Sequence, residues 1–375
     1  MSVIDNITEW LLSAGRAGTL EIGSSYLRWV YGEKNQLTPA LQIFRSCQTD
    51  AVRFTNFQSS YLFDSNKVAE SLQPLIEIKH GVEKYANVVL PDQAFHFGSI
   101  NIPAAAAKAS LIPLLERDIQ KTAPLPCNAY VIKHETGRNR GSQLNVQYCA
   151  LPLSVLEDVQ RACDKAHLIP VSIQPSFTGL FRLLSLHQNI SDHPSVFLHI
   201  GNECTTMGVY EKSGLRAINL LDFGVQNFIQ AVAQELNCDH NAAVQTVFHE
   251  PLLLDDPGAS EAQVEIAAFG VVEPLLADFL QKIYGQLLLF SSEHHEESGY
   301  SRIVISGGGA LIINLDRLIT FNLGIPTSTI SRELKQLTEL PGLPVHEKLE
   351  TLAPALGNII LQPARRNRFD RMLAA

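Results

Sequence analysis

The sequence predicts an α/β protein with a small α+β unit set inside a larger body. Strand patterns and helix patterns alternate along most of the chain. Two β-hairpins that carry an Ile-Gly pair recur about half a chain apart, at residues 22 and 200. Between residues 100 and 173 the order helix, strand, strand, helix, strand indicates the smaller inserted unit.

Length and composition limit the classes of protein to consider. At 375 residues the chain is long enough for two domains or one large α/β body. Hydrophobic residues make up 46% and charged residues 18%, which excludes a disordered, collagen-like or coiled-coil chain. The 29 Lys and Arg against 38 Asp and Glu give a net charge of -9, the wrong sign for a surface that follows phosphate backbones. We therefore expect no nucleic-acid partner.

The sequence also predicts a cytoplasmic location. Its six cysteines contain no CxxC pair, so we expect reduced thiols. No apolar stretch reaches the roughly 20 residues of a transmembrane helix. The first twenty residues carry Asp5 and Glu9 and lack the basic start of a signal peptide. A role at a membrane would then depend on a partner protein.

Three glycine-containing turns are candidates for binding phosphate. Residues 19–30 predict a strand, a Gly-Ser-Ser turn and a second strand, and residues 196–210 predict another strand pair around a polar turn. Residues 302–306 predict a buried strand that leads into three consecutive glycines, 307–309. Glycine lets the backbone approach closely, so the N–H groups of such turns can converge on a polyphosphate.

The order of these segments resembles a known family. The sequence reads LEIGSS at 20–25, LHIGN at 198–202 and IVISGGGA at 303–310. In this order the segments resemble the two phosphate loops and the adenosine loop of the actin-like ATPase superfamily. Within it they resemble the PilM family of type IV pilus assembly, which is related to FtsA. Shorter segments at 151–175, 273–274, 323–326 and 352–357 agree, so that the resemblance spans about residues 19 to 362.

The resemblance implies the architecture. It implies an actin-like ATPase fold with two lobes around a cleft and a small inserted α+β subdomain. The expected boundaries are an N-terminal amphipathic segment at 1–18, lobe I at 19–175 and 345–362 with the insert at about 86–150, lobe II at 176–344, and a basic tail at 363–375.

The resemblance also implies a nucleotide, a partner and a location. The cofactor would be ATP, with Mg²⁺, and no protein residue is assigned as a metal ligand. The partner would be a PilN-like inner-membrane protein, whose cytoplasmic N-terminal peptide lies in a groove involving the inserted subdomain. The protein would be cytoplasmic and attached to the inner membrane through partners. The residues expected to bind the nucleotide are Glu21, Gly23, Ser24, Ser25, Arg28, Gly201, Asn202, Thr205, Gly307, Gly308, Gly309 and Ala310.

Two positions where the family has aspartate, and one where it has lysine, depart from the family pattern. Actin-like ATPases carry an aspartate before Ile-Gly in both phosphate loops, where it orients hydrated Mg²⁺. This chain has Glu21 and His199 instead, and Arg28 stands where the family has lysine. Hydrolysis is therefore expected to be impaired, and no catalytic residue is assigned. Two alternatives stay open: a nucleotide-binding protein that hydrolyses slowly or not at all, or a scaffold without nucleotide, as in the cytoplasmic domain of the type II secretion protein GspL.

Other functional classes remain in view. A small-molecule kinase would need a carboxylate base near the γ-phosphate, for which the second hairpin offers Glu203. An FtsA-like division protein would need a C-terminal amphipathic membrane helix, and the arginine-rich tail is short for that. The His-Glu cluster at 294–297 lacks metal-ligand spacing, and Cys204 fits a small core residue better than a nucleophile.

Overall fold

The computed structural model describes most of the chain between residues 18 and 359. The described ranges are 18–33, 40–54, 61–76, 84–103, 111–123, 125–140, 143–187, 193–211, 214–250, 263–294, 299–337 and 347–359. The predicted basic tail and, apart from Gly18, the predicted N-terminal amphipathic segment lie outside these ranges.

The chain divides into two compact units, neither of which is one continuous stretch of sequence. The first unit consists of residues 1–186, 340–344 and 354–375, and the second consists of residues 187–339 and 345–353. The sequence prediction puts the first change of unit after residue 175, whereas the structure puts it after residue 186. The intervening helix packs within the first unit.

A five-stranded sheet is the centre of the first unit. The strands of this unit are β1 (Gly18–Ile22), β2 (Tyr26–Glu33), β3 (Ala40–Gln48), β4 (Val52–Phe54), β5 (Tyr61–Phe63), β6 (Tyr85–Leu90), β7 (His96–Pro103), β8 (Tyr130–Arg140), β9 (Gln143–Pro152) and β10 (Ile169–Pro175). Its helices are α1 (Ser65–Leu72), α2 (Ile112–Thr122), α3 (Leu153–Lys165) and α4 (Ser176–His187). The sheet has the order β10-β6-β1-β2-β3, with β1 antiparallel to β2 and parallel to β6. β4 and β5 form a separate two-stranded sheet.

The two faces of the larger sheet differ in polarity. One face is apolar: Leu20, Trp29 and Val88 are fully buried there and pack with residues of α1 and α3. Side chains alternate along a strand, so the neighbouring residues Thr19 and Asn87 belong to the opposite face, together with Ser172 and Gln174 of β10. On that face the Ser172 hydroxyl donates to Asn87 Oδ1 at 2.8 Å, and Gln174 Nε2 donates to Ser172 Oγ at 3.1 Å. Asn87, Ser172 and Gln174 are thus bonded to one another, whereas the buried Thr19 hydroxyl has no hydrogen-bond partner among the described residues.

The inserted unit has a small core of its own. Its antiparallel sheet has the order β7-β9-β8, and α2 packs on it through Leu115 and Ile119, both fully buried. The Tyr148 hydroxyl donates to Asp118 Oδ2 at 2.9 Å and joins β9 to α2. The predicted order helix, strand, strand, helix, strand is confirmed by α2, β8, β9, α3 and β10.

Two segments of this region depart from their local sequence patterns. The polar composition of residues 135–142 predicts a loop, but β8 continues to Arg140 and pairs with β9 as far as Gln143. Backbone pairing, with a register shift between Thr136 and Asn139, decides the conformation there rather than side-chain polarity. Ser154, with Glu157 three residues later, has the spacing of a capping box, but α3 begins at Leu153, directly after Pro152, without a side-chain cap. Strand β9 runs straight into the helix, so Ser154 lies inside the first turn.

The second unit contains another five-stranded sheet. Its strands are β11 (Ser195–Ile200), β12 (Thr205–Glu211), β13 (Gly214–Leu221), β14 (Arg302–Ser306) and β15 (Thr327–Thr329). Its helices are α5 (Val225–Glu235), α6 (His240–His249), α7 (Gln263–His294), α8 (Leu315–Leu323) and α9 (Ile330–Glu333). The sheet order is β13-β12-β11-β14-β15, with β11 parallel to β14. The last helix, α10 (Leu349–Ile359), begins in the second unit and ends in the first.

Aromatic packing and a predicted cap fix the helices of the second unit. The rings of Phe223 and Phe279 stack with centroids 4.5 Å apart, and both side chains are buried. Asp239 is a residue type that predicts a helix N-cap, and its Oδ1 accepts a hydrogen bond from the backbone N–H of Ala242 at 2.8 Å, which confirms it as the cap of α6. Among the described helices, none combines the length and the apolar character that crossing a bilayer requires.

Two glycines let α4 and the end of α10 cross at backbone contact within the first unit. A Cβ added to Gly179 would lie 2.0 Å from the Pro354 carbonyl oxygen, and one added to Gly357 would lie 1.8 Å from the Gly179 carbonyl oxygen. Arg182 Nη1 donates to Asn358 Oδ1 beside this crossing. A side chain at either glycine would therefore force the helices apart.

The substitution Gly179→Ala tests this crossing. We expect it to lower the free energy of unfolding by about 1–3 kcal/mol, because overpacking outweighs the better helix propensity of alanine. The matched control is Gly285→Ala in α7, where an added Cβ meets nothing within 4 Å, so that stability should rise by about 0.5–1 kcal/mol. Urea unfolding followed by circular dichroism measures both. An equal gain in the two variants would contradict the tight crossing.

Candidate functional site

The first candidate turn joins β1 to β2 in the first unit. The Gly23 N–H donates to the Tyr26 carbonyl at 2.9 Å and closes the turn, as the hairpin prediction required. Ser24 and Ser25 lie at its tip, half-buried. The Ser25 carbonyl accepts from the Thr49 N–H at 2.9 Å, which ties the tip to the end of β3. The structure thus gathers the predicted residues of this turn in one place.

Glu21 and Arg28 form an ion pair at the base of the same turn. They are direct cross-strand partners in the ladder of β1 and β2. Arg28 Nη1 lies 3.2 Å from Glu21 Oε1, and only 11% and 12% of the two side chains are exposed. The guanidinium carbon also lies 5.2 Å from the centre of the Tyr26 ring, within the range of a cation–π contact. The guanidinium is therefore held by a carboxylate and an aromatic ring of its own hairpin.

The other two turns lie side by side in the second unit. β11 and β14 are parallel neighbours, so the turn after Ile200 and the turn after Ser306 leave the same edge of the sheet. Gly307 has φ +83°, and a Cβ there would lie 2.3 Å from the Ile200 carbonyl oxygen. A Cβ on Gly309 would meet the Ile200 side chain at 2.2 Å. These two glycines are required by the contact with Ile200.

The remaining glycines of the two turns have more space. A Cβ on Gly308 would meet only Val225 Cγ2, at 3.5 Å, an ordinary contact. Gly201 closes the β11–β12 turn by donating its N–H to the Cys204 carbonyl at 2.9 Å. The Gly201 and Asn202 carbonyls accept from the first N–H groups of α5, at 3.0 and 2.8 Å. This turn is thus anchored to the start of α5, and Gly308 is the glycine whose presence packing does not explain.

The side chains of two predicted residues are buried. Thr205 is fully buried and its hydroxyl donates to the Phe223 carbonyl at 2.7 Å, so this hydroxyl contributes to packing. Ala310 is buried, with 7% exposure, in the core of the second unit. Cys204 is buried as well, which agrees with the prediction of a small core residue.

The residues at the two departing positions do not fit Mg²⁺. Mg²⁺ requires oxygen ligands in near-octahedral geometry. The Glu21 carboxylate is engaged by Arg28, and His199, through Nδ1, shares a 3.1 Å hydrogen bond with the Ser306 hydroxyl. A neutral imidazole nitrogen is a poor ligand for so hard a cation. Nor do the described residues contain a group of three or more His, Cys, Asp or Glu side chains able to hold a metal ion.

A cavity in the first unit lies where the inserted unit meets the larger sheet. Its volume is about 220 Å³. Most of its wall is apolar and includes Val131 of β8, Leu151 of β9, Leu156 of α3 and Ile173 of β10. The strands β8 and β10 are both edge strands of their sheets. The cavity therefore joins an apolar wall to two strand edges.

The cavity wall also contains polar groups and a thiol. Lys133 and Ser172 contribute polar atoms, and Cys149 contributes its sulfur. Burial raises the pKa of the Cys149 thiol well above its ordinary value, and the nearby charge of Asp92 adds to this shift. The thiol thus stays protonated at neutral pH, and its role is to line the wall.

The sequence indicated the inserted unit but not this cavity. Val131 and Cys149 fall within the predicted insert, whereas Leu156, Ser172 and Ile173 follow it in the chain. They reach the same cavity because β10 pairs with β6 and forms the edge of the larger sheet. Contacts between such distant segments leave no local pattern in the sequence from which the cavity could be predicted.

A pair of variants tests the different roles of the consecutive glycines. We expect Gly307→Ala to lower the free energy of unfolding by about 2–4 kcal/mol, since it combines a strained positive φ with a backbone clash. Gly308→Ala should change it by less than about 1 kcal/mol. Urea unfolding of both proteins measures the difference. Similar losses in the two variants would contradict the packing role assigned to Gly307.

Comparisons with solved structures give the fold. A chain of the PilM–PilN type IV pilus biogenesis complex matches with a TM-score of 0.75 and 21% sequence identity, over 92% of this chain and 98% of that one. The ethanolamine utilization protein EutJ from Carboxydothermus hydrogenoformans matches with a TM-score of 0.52 and 12% identity, over 92% and 88% of the two chains.

Sequence comparisons give no further relatives. No protein-family model matches the chain. No curated protein sequence matches it either. The structural likeness therefore carries the classification: the chain has the actin-like ATPase fold that its sequence predicted, and it is similar in structure to the PilM–PilN complex chain whose family its turn motifs resemble.

Proposed function

We propose that this protein is a cytoplasmic actin-like scaffold of a type IV pilus or related secretion machine. In this proposal it docks the cytoplasmic N-terminal peptide of a PilN-like inner-membrane protein and is attached to that membrane through its partners. The observation that carries the proposal is the apolar cavity between the inserted unit and β10. The likeness to the PilM–PilN chain supports the choice of partner.

The chemistry of the cavity suits an extended peptide. An edge strand offers unpaired backbone groups, to which a peptide can add as a further strand. Here β8 and β10 supply two such edges, and Val131 and Ile173 line the cavity from them. A volume of about 220 Å³ accommodates one or two large apolar side chains of the peptide. Backbone pairing would give affinity, and the apolar wall would select the side chains.

We further propose that the glycine turns bind ATP. The support within the second unit is that the Gly201 turn and the turn beginning at Gly307 leave the same sheet edge. In the first unit, Gly23, Ser24 and Ser25 form a closed turn whose tip carries two hydroxyl groups. Backbone N–H groups in such turns suit phosphate oxygens. With Glu21 and His199 engaged as described, we propose binding without efficient hydrolysis and assign no catalytic residue.

The alternatives make different predictions. A GspL-like component of type II secretion would bind its membrane partner and no nucleotide. An actin-fold small-molecule kinase would transfer phosphate to an acceptor in an assay over a panel of sugars and acids. An FtsA-like division protein would sediment with lipid vesicles in the absence of a partner. Peptide binding and ATP binding, measured separately, distinguish the proposed scaffold from all three.

The variant Val131→Trp tests peptide docking by filling the cavity. The probe is a synthetic peptide with the N-terminal cytoplasmic residues of the PilN-like protein from the same organism. We expect Val131→Trp to weaken its binding by at least about tenfold in fluorescence anisotropy, because the indole occupies the apolar site. The control Leu114→Trp adds the same bulk to an exposed position of α2 and should bind normally. Normal binding by Val131→Trp, or no binding by the wild type, would overturn the proposal.

The variant Gly201→Asp tests ATP binding. A carboxylate in this turn would repel the phosphates, so we expect the apparent affinity for ATP to fall by at least about tenfold. The control is Gly299→Asp in the same unit, where φ is +71° and an added Cβ meets nothing within 4 Å. Aspartate tolerates that conformation, and the control carries the same added charge. Calorimetry on the three proteins measures the effect. Equal losses in both variants would indicate a general charge effect and contradict the site.

A further inference from the structure

At the base of the first turn, the Arg28 guanidinium already supplies the positive charge that a bound cation would provide. Glu21 contributes one negative charge and Arg28 one positive charge, and about nine-tenths of each side chain is buried. A carboxylate in such a position is stable as an anion only with a partner, and the guanidinium supplies it. The pair is neutral as a whole. A divalent cation would therefore meet no net negative charge at this turn.

The geometry holds the guanidinium in this place. Glu21 and Arg28 face each other across β1 and β2, so the hydrogen-bonded ladder fixes their separation. Tyr26 lies two residues before Arg28 on the same face, and its ring contacts the guanidinium. Gln48 Nε2 contacts the Tyr26 hydroxyl at 3.4 Å from β3. Moving Arg28 aside for a metal would break its ion pair with Glu21 on β1 and its contact with the Tyr26 ring.

Arg28 still has a hydrogen-bond donor to offer. Among the residues that the structure describes, no partner lies within hydrogen-bond reach of its buried Nε. A guanidinium presents five N–H donors in a planar fork that suits phosphate oxygens. The side chain that neutralises Glu21 thus keeps one buried N–H unsatisfied, and a phosphate oxygen that entered the turn would supply its acceptor.

The second unit contributes no compensating carboxylate at the corresponding position. His199 stands there, and its Nδ1 is engaged with Ser306 at 3.1 Å. Ser306 is fully buried, so this contact belongs to the packing between β11 and β14. In each unit, taken by itself, the position expected to orient Mg²⁺ is occupied by a contact internal to the sheet.

We propose that Arg28 replaces the divalent cation in this chain, so that the first turn takes a nucleoside polyphosphate as its metal-free anion. The inference rests on the proposed ATP binding and defines its cation requirement. The Glu21 carboxylate is neutralised by Arg28, and the guanidinium rather than Mg²⁺ faces the phosphate. ATP affinity is then independent of Mg²⁺, in contrast to the metal-dependent binding that the family pattern implies.

The primary test is calorimetric titration of the wild-type full-length protein with ATP, in buffer containing EDTA and in buffer containing Mg²⁺. We expect the two affinities to agree within about threefold. A gain of more than about tenfold on adding Mg²⁺ would overturn the proposal. So would the absence of ATP binding in both buffers, but that result would leave peptide docking untouched, since the peptide assay measures it separately.

Two variants make the test specific to the ion pair. Glu21→Gln releases the guanidinium from its counter-charge, so metal-free ATP should bind several-fold more tightly. Arg28→Met uncovers the carboxylate, so ATP affinity should become dependent on Mg²⁺. The control Glu211→Gln makes the same change in the half-buried pair that Glu211 forms with Arg216 in the second unit, and it should leave ATP binding unchanged. A Glu21→Gln protein that loses affinity in Mg²⁺ buffer alone would show that Glu21 serves the metal and overturn the proposal.

Discussion

The parallel pairing of β11 with β14 is the constraint on which the candidate site of the second unit depends. Leu198 lies opposite Ile305 in this register, so the two strands end at the same edge and release their turns together. The closeness of the turns then dictates residue type: Gly307 and Gly309 lie against Ile200 at distances that exclude a Cβ. Packing alone therefore requires glycine at positions 307 and 309. It does not require glycine at position 308, where a side chain would meet only Val225.

In both units a buried polar side chain is paired with another across two adjacent strands. In the first unit, Glu21 meets Arg28 across β1 and β2. In the second, His199 meets Ser306 across β11 and β14. Each contact joins adjacent strands of one sheet, so each contributes to the stability of its hairpin or strand pair as well as to the chemistry of the turn. Under the proposed ATP binding, these contacts would keep the turns of the actin-like fold in shape while the requirement for a metal, and with it efficient hydrolysis, is lost.

Sequence patterns predicted the features that depend on neighbouring residues. The first hairpin, the Asp239 cap and the long helix α7 were accessible because turn chemistry, capping and periodicity are local. The strand continuation to Arg140 was not, because pairing with β9 overrides a polar composition. The burial of Thr205 and the cavity lined by Leu156 and Ile173 depend on contacts between distant segments. Motif order was sufficient for the fold, whereas the proposed docking site required the tertiary structure.

The division of α10 between the units has a consequence for synthesis of the chain on the ribosome. The described part of the first unit starts at β1, yet its α4 packs against Pro354 and Gly357, which come after the second unit in the sequence. While the second unit is being translated, the surface of α4 around Gly179 therefore lacks its packing partner in the nascent chain. A fragment ending at residue 186 would lack that partner permanently, so the first unit is complete only after the second has been translated.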